Sequence, residues 1–151
     1  MSAERQSPMA LALAEAERAG ERGEVPVGAV LVDAGGAALA SAGNRTEERA
    51  DPTAHAEMLV LRDAAAQRGR PRLEDCDLYV TLEPCAMCAA AISFARVRRL
   101  YFGAYDAKGG AVEHGPRFFR QPTCHHRPEV YGGIDEARAG ELLRRFFQER
   151  R

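Results

Sequence analysis

Cys85 and Cys88, three positions apart and directly behind Pro84, constrain the fold of this chain more than any other feature. Their sulfurs turn toward one point when the first turn of a helix carries them. Pro84 suits such a start, since its ring presets φ and it has no N–H to leave unpaired. The preceding Asp77-Leu78-Tyr79-Val80-Thr81 is short, apolar and β-rich, the pattern of a buried strand. A strand that delivers two cysteines to a helix N-terminus also brings them a positive field, which favours thiolate over thiol.

The compartment decides what four cysteines mean. No apolar run is long enough to span a bilayer and the N-terminus lacks a signal-peptide core, so a cytoplasmic location is expected. There, metal binding or catalysis is the first reading of cysteine, ahead of disulfides. With 21 Lys+Arg against 22 Asp+Glu, the net charge of −1 excludes a generic polyanion binder. A nucleic-acid partner then requires a local basic patch.

The pattern along the chain is that of one domain, residues 1–151. Met9 to Arg22, with Met9, Leu13 and Ala16 at helical spacing, predicts an amphipathic helix. Val25 to Val32 reads as a strand, Asp33 to Gly36 as a turn, and Ala37 to Ala42 as the antiparallel return. After the polar loop from Gly43 to Pro52, Thr53 is expected to cap a helix from about His55 to Gln67, with Met58, Leu59, Leu61 and Ala65 inward. The cysteine helix runs to about Arg96, and Arg99 to Gly103 forms the next strand. Ala104 to Pro128 reads as a long functional loop or a short irregular helix. Glu129-Val130-Tyr131 is a short fifth strand, and Asp135 to Arg151 a closing helix with Leu142, Leu143, Phe146 and Phe147 near one stripe. A helix, a hairpin and two β-to-α steps predict an α/β fold, a mixed sheet with helices on both faces.

His55-Ala56-Glu57 gives the cysteines a partner. Zinc binds Cys sulfur and His nitrogen tetrahedrally, and a catalytic site leaves its fourth position to water. His55, Cys85 and Cys88 supply three ligands. Glu57, two residues after His55, flanks the metal as a proton carrier for its water. Two other readings stay open. A thioredoxin-like redox pair has the same placement but assigns no role to His55-Ala56-Glu57. A structural zinc site needs a fourth protein ligand from Cys76, Cys124, His114, His125 or His126. Cys124-His125-His126 reads as a solvated loop and Cys76 as an ordinary small apolar residue. Glu83 reads as a hydrogen-bonding partner of a ligand or of the backbone, or as a salt-bridged loop residue.

His55-Ala56-Glu57 with Pro84-Cys85-Ala86-Met87-Cys88 resembles the H-x-E…P-C-x-x-C signature of the zinc-dependent nucleobase deaminases. Glu24-Val25-Pro26-Val27-Gly28-Ala29-Val30, Asp51-Pro52-Thr53-Ala54-His55, Thr81-Leu82-Glu83-Pro84 and Phe102-Gly103-Ala104-Tyr105-Asp106-Ala107-Lys108 are similar to the bacterial tRNA-specific adenosine deaminases. That likeness covers nearly the whole chain. It implies a three-layer α/β/α cytidine-deaminase-like fold with a central mixed five-stranded sheet and one Zn2+ per subunit. It also implies hydrolytic deamination of adenosine to inosine at the wobble position of an arginine tRNA.

In that reading His55, Cys85 and Cys88 hold the metal, and Glu57 moves the protons. Asn44, Ala56, Pro84, Asp106, Lys108 and Phe147 touch the substrate. Asn44 and the Asp106-Ala107-Lys108-Gly109-Gly110 run also read as plain turn residues. Arg144, Arg145, Arg150 and Arg151 beside Phe146 and Phe147 suit a splayed single-stranded loop, so the expected partner is a tRNA anticodon stem-loop. No membrane or DNA is expected. A homodimer follows from the resemblance, with Ala89 to Phe94 as a close-packed isologous contact. Guanine and cytosine deaminases share the His-x-Glu and Cys-x-x-Cys patterns, so a free base is the alternative substrate.

Overall fold

Ser7 and Pro8 open the first helix, α1 (Pro8–Glu21): the Ser7 Oγ accepts from the Ala10 N–H at 3.1 Å, and Pro8 takes the first turn, where its missing N–H costs nothing. The computed structural model describes residues 6–150. After α1 come β1 (Gly28–Val32), β2 (Ala38–Gly43), α2 (Ala56–Arg68), β3 (Asp77–Leu82), α3 (Ala86–Ala95), β4 (Arg99–Ala104), a 3-10 turn (Phe118–Arg120), β5 (Glu129–Tyr131) and α4 (Glu136–Glu149).

The strands form one five-stranded sheet in the order β2-β1-β3-β4-β5. β1 is antiparallel to β2 and β3, whereas β3, β4 and β5 run parallel. Alternation along the strands builds two cores. Ala29, Leu31, Leu78, Val80, Leu100 and Phe102 face α2 and α3. Val30, Val32, Tyr79 and Tyr101 face α1 and α4. This is the three-layer mixed-sheet architecture expected from the sequence. Gly28 makes the tight α1–β1 packing possible, because a Cβ there would lie 1.9 Å from the Ala12 carbonyl oxygen.

The sheet's parallel half sets the location of chemistry. The β3–α3–β4 crossover joins parallel neighbours, and β3 leads directly into the N-terminus of α3. The α2 and α3 N-termini meet beyond the ends of β1 and β3.

Some local expectations change. The β1 ladder starts at Gly28 and not Val25, since Pro26 offers no donor and Val27 N–H bonds the Val25 carbonyl at 2.8 Å instead. Thr53 does not cap α2. Its hydroxyl donates to Asp51 Oδ1 at 2.7 Å, and His55 is the N-cap residue without a side-chain cap bond. The inward face of α2 is Glu57, Val60, Leu61 and Ala64, with Met58, Leu59 and Ala65 only half-buried. Turning Glu57 inward fixes the helix phase, and positions 60, 61 and 64 follow at i+3, i+4 and i+7. Pro84 precedes the cap of α3 and is not its first residue: Cys85 is the N-cap and Ala86 the first helical position.

Cys124-His125-His126 is not a freely solvated loop. The Cys124 thiol and Ser93 hydroxyl both donate to the His126 carbonyl, at 3.1 and 2.9 Å, and His126 Nε2 donates to the Val97 carbonyl at 2.7 Å. On α4, Ala139 and Phe146 are buried and Phe147 is 52% exposed. Arg150 stacks over the Phe146 ring at 3.6 Å. Arg151 lies outside the described residues.

Candidate active site

Two helix N-termini deliver the ligand set. His55 caps α2 and Cys85 caps α3, both with extended backbone, while Cys88 sits in the first turn of α3 and is fully buried. The His and Cys ligand atoms lie within 4.8 Å of one another. His55 Nδ1 stands 3.8 Å from Cys85 Sγ and 3.5 Å from Cys88 Sγ. A tetrahedral zinc with bonds of about 2.3 Å to sulfur and about 2.0 Å to nitrogen sets its N···S edges at about 3.5 Å. The three side chains therefore fit zinc, and Nδ1 is the ring nitrogen that faces it.

The charges agree. A hydrogen bond from the Cys88 thiol, with further help from His55, brings the Cys85 thiol down to about 4 against the opposing effect of burial. Cys88 is pushed up by holding its proton toward the Cys85 thiolate and by burial. The Cys85 thiolate also raises His55, in spite of partial burial. Cys85 and Cys88 would both bind a divalent cation as thiolates, with the shared proton released.

Glu57 lies in the first turn of α2, 4% exposed, and burial holds its carboxyl above the usual carboxylate range. It shares with His55 and Cys85 a cavity of about 250 Å³. Val25, Val27 and Leu82 give this cavity apolar walls, and Asn44, Thr46 and Asp106 give it polar ones. Drug-sized ligands occupy roughly 300–1,000 Å³, so a single planar base is the better match for the space.

Asn44 Oδ1 accepts from the Ala56 N–H at 2.9 Å, which leaves the Asn44 amide NH2 for a ligand and fixes the backbone between His55 and Glu57. Asp106 reaches the cavity while its Oδ1 accepts from the Lys108 and Gly109 N–H groups at 3.1 and 2.9 Å, so it is a turn residue and a wall residue at once. The Pro84 carbonyl accepts from the Ala111 N–H at 2.9 Å, which ties the cysteine turn to the loop beyond β4. Of the expected substrate residues, Ala56, Pro84, Lys108 and Phe147 do not line this cavity. Phe147 borders a separate groove with Tyr105 and Arg144.

Two buried carboxylates organise the walls. Glu24 accepts from the Thr46 hydroxyl and the Glu47 and Glu48 N–H groups at 3.3, 3.1 and 2.9 Å. Glu83 accepts from the Asp106, Val112, Glu113 and His114 N–H groups at 3.0, 3.2, 2.9 and 3.1 Å, and from His114 Nδ1 at 2.8 Å. Burial raises the Glu83 carboxyl, but these donors outweigh it and hold it below its ordinary value. Gly110 is required beside it, since a Cβ there would lie 2.5 Å from the carboxylate. Of the two readings made of Glu83, the backbone partner is seen in four N–H donors, and the His114 ring adds a side-chain partner of the kind the second reading expected. The role of Glu24 was missed, since its donors lie 22 to 24 residues further along the chain and nothing local in the sequence points to them.

Residues 2–104 match the family described as the cytidine and deoxycytidylate deaminase zinc-binding region. The chain is 63% identical over 149 residues to the tRNA-specific adenosine deaminase of Agrobacterium fabrum, covering 99% of this chain and 97% of that one. A solved structure from a study of A-to-I editing by tRNA:A34 deaminases superposes with a TM-score of 0.89 at 62% identity, covering 92% of this chain and all of the other. The guanine deaminase of Bacillus subtilis is more distant, with a TM-score of 0.63 at 28% identity over 96% of this chain and 94% of that one.

Proposed function

Since this chain belongs to the zinc-binding cytidine and deoxycytidylate deaminase family, we propose that it converts adenosine to inosine at wobble position 34 of an arginine tRNA, releasing ammonia. The observation that carries this reading is the buried Glu57 in one base-sized cavity with His55 and Cys85, beside the fully buried Cys88. The 63% identity to a tRNA-specific relative supports adenosine in tRNA over a free base.

His55, Cys85 and Cys88 would hold one zinc ion per subunit, which would supply a water acidified toward neutrality. Glu57 carries a proton from water to the purine N1 and then to the departing amine. Its buried position raises its proton affinity above that of an ordinary carboxylate, which favours accepting a proton from water. Asn44 orients the nucleoside with its free amide NH2, and the Ala56 and Pro84 backbone frames the base. Asp106 accepts from a ribose hydroxyl, a group DNA lacks at the 2′ position. Lys108 meets phosphate, and exposed Phe147 stacks with a flanking base.

The enzyme works in the cytoplasm as a homodimer. Phe94, 74% exposed on α3, supports a second copy as the cover for that face. Sedimentation of the wild type is expected to give a dimer and of Phe94→Asp a monomer.

Purified protein incubated with tRNA, read by sequencing for A-to-I conversion, tests the activity. Inosine at position 34 is the expected result. Ammonia release from guanine with no inosine in tRNA overturns it.

A further inference from the structure

Where α1, β2 and α2 meet, Arg18, Arg22, Arg45, Arg49 and Arg62 line one cavity of about 640 Å³. Glu15 and Asp63 are the carboxylates on its wall. Five guanidinium groups against two carboxylates form a positive basin on a chain whose net charge is −1. Four of the arginines have a protein partner: Arg18 pairs with Glu15, Arg45 with Glu48, Arg22 donates to the Asn44 carbonyl at 3.0 Å, and Arg62 to Thr53 Oγ1 at 3.3 Å. A guanidinium has five N–H donors, so one partner orients the fork and leaves the rest for a ligand.

The positive field converges on the loop after β2. A hydrogen bond from Arg45, reinforced by the charges of Arg45, Arg22 and Arg49, holds the exposed Glu48 carboxyl below its ordinary value. Among the described residues no aromatic ring lines this cavity, and what it offers is charge and an array of N–H donors. That chemistry suits phosphate.

The basin and the catalytic cavity share the segment that follows β2. Arg45 lines the first, and its neighbours Asn44 and Thr46 line the second. Arg22 grips the Asn44 carbonyl while Asn44 Oδ1 holds the Ala56 N–H, so a single residue separates the two. The Asn44–Thr46 segment, which walls both cavities, is therefore the path by which a polynucleotide with one base in the catalytic cavity would meet the arginines.

We propose that this arginine basin is a second RNA-contact site, binding backbone phosphates of the substrate away from the reacting nucleotide. The identity of the polyanion rests on the tRNA reading above.

The test compares wild type with the Arg49→Gln/Arg62→Gln double variant, since neither side chain lines the catalytic cavity. Binding of a fluorescent anticodon stem-loop RNA is followed by anisotropy across a salt series, in parallel with inosine formation. The expected result is a Kd raised about tenfold at moderate salt. The slope of log K against log salt should fall by about 1.4 to 1.8, the value for two lost phosphate contacts. KM rises with Kd while kcat at saturation is unchanged. The Arg49→Lys/Arg62→Lys variant keeps the charge and restores most of the slope, and zinc content and melting temperature certify the fold of both variants.

An unchanged Kd and slope overturn the proposal. So does stabilisation of wild type alone by inorganic pyrophosphate with no difference in RNA binding, which marks a free-anion site. Weakened RNA binding in the variant, with no inosine formed by wild type, leaves the basin standing and removes the deamination reading.

Discussion

Each side chain at the centre has a separable job. Glu57→Gln keeps the shape of the cavity and removes the proton carrier, so kcat should fall by roughly 10²- to 10⁴-fold or more. Zinc content by elemental analysis and RNA affinity stay as in wild type. Retention of turnover would assign the proton transfers to another group. The cysteines give a second readout. In chelator-stripped protein, Cys85, with its thiol at about 4, is thiolate across roughly pH 5 to 9, so its alkylation rate is flat over that range. Zinc suppresses the reaction. Cys76, buried and pushed up to about 11, stays unmodified in the native protein. Mass spectrometry of the alkylated peptides checks both statements. His55, Glu57, Cys85 and Cys88 were legible in sequence because metal chemistry restricts both residue type and spacing. Glu24 was not, since a lone carboxylate acquires meaning only when the fold brings three donors from residues 46–48 to it.

At the scale of elements, strand and helix order followed from hydrophobic period and turn residues, but helix phase did not. Reading α2 from its apolar residues alone put Met58, Leu59 and Ala65 inward; the polar Glu57 sets the true phase, and no hydrophobic pattern reports that. Ala104 to Pro128 had little pattern because its order comes from Glu83 and not from a repeating backbone ladder. Glu83→Ala orphans several N–H donors in a buried setting. With each costing about 1–3 kcal/mol, a loss of about 3 kcal/mol or more is expected in urea unfolding. Hydrogen exchange at Val112, Glu113 and His114 should accelerate selectively. A variant with unaltered exchange there would show that the loop holds itself.

Over the whole molecule, one sheet separates two cores that share few neighbours. Phe102→Ala on the α2/α3 side is expected to cost about 3–5 kcal/mol, and Leu13→Ala on the α1/α4 side about 2–5 kcal/mol. The double variant should show nearly additive losses with one cooperative transition, measured by denaturant unfolding of zinc-loaded protein. Two separate transitions would mean that the layers fold independently. The Glu24 and Glu83 anchors have a consequence for how such a chassis changes its diet. Each jaw of the binding cleft has a buried acidic residue that gathers its amide groups, outside the ladder that keeps the strands in register. Evolution can therefore exchange either jaw for another with matching amide groups, altering what is gripped while the metal-bearing frame keeps its alignment.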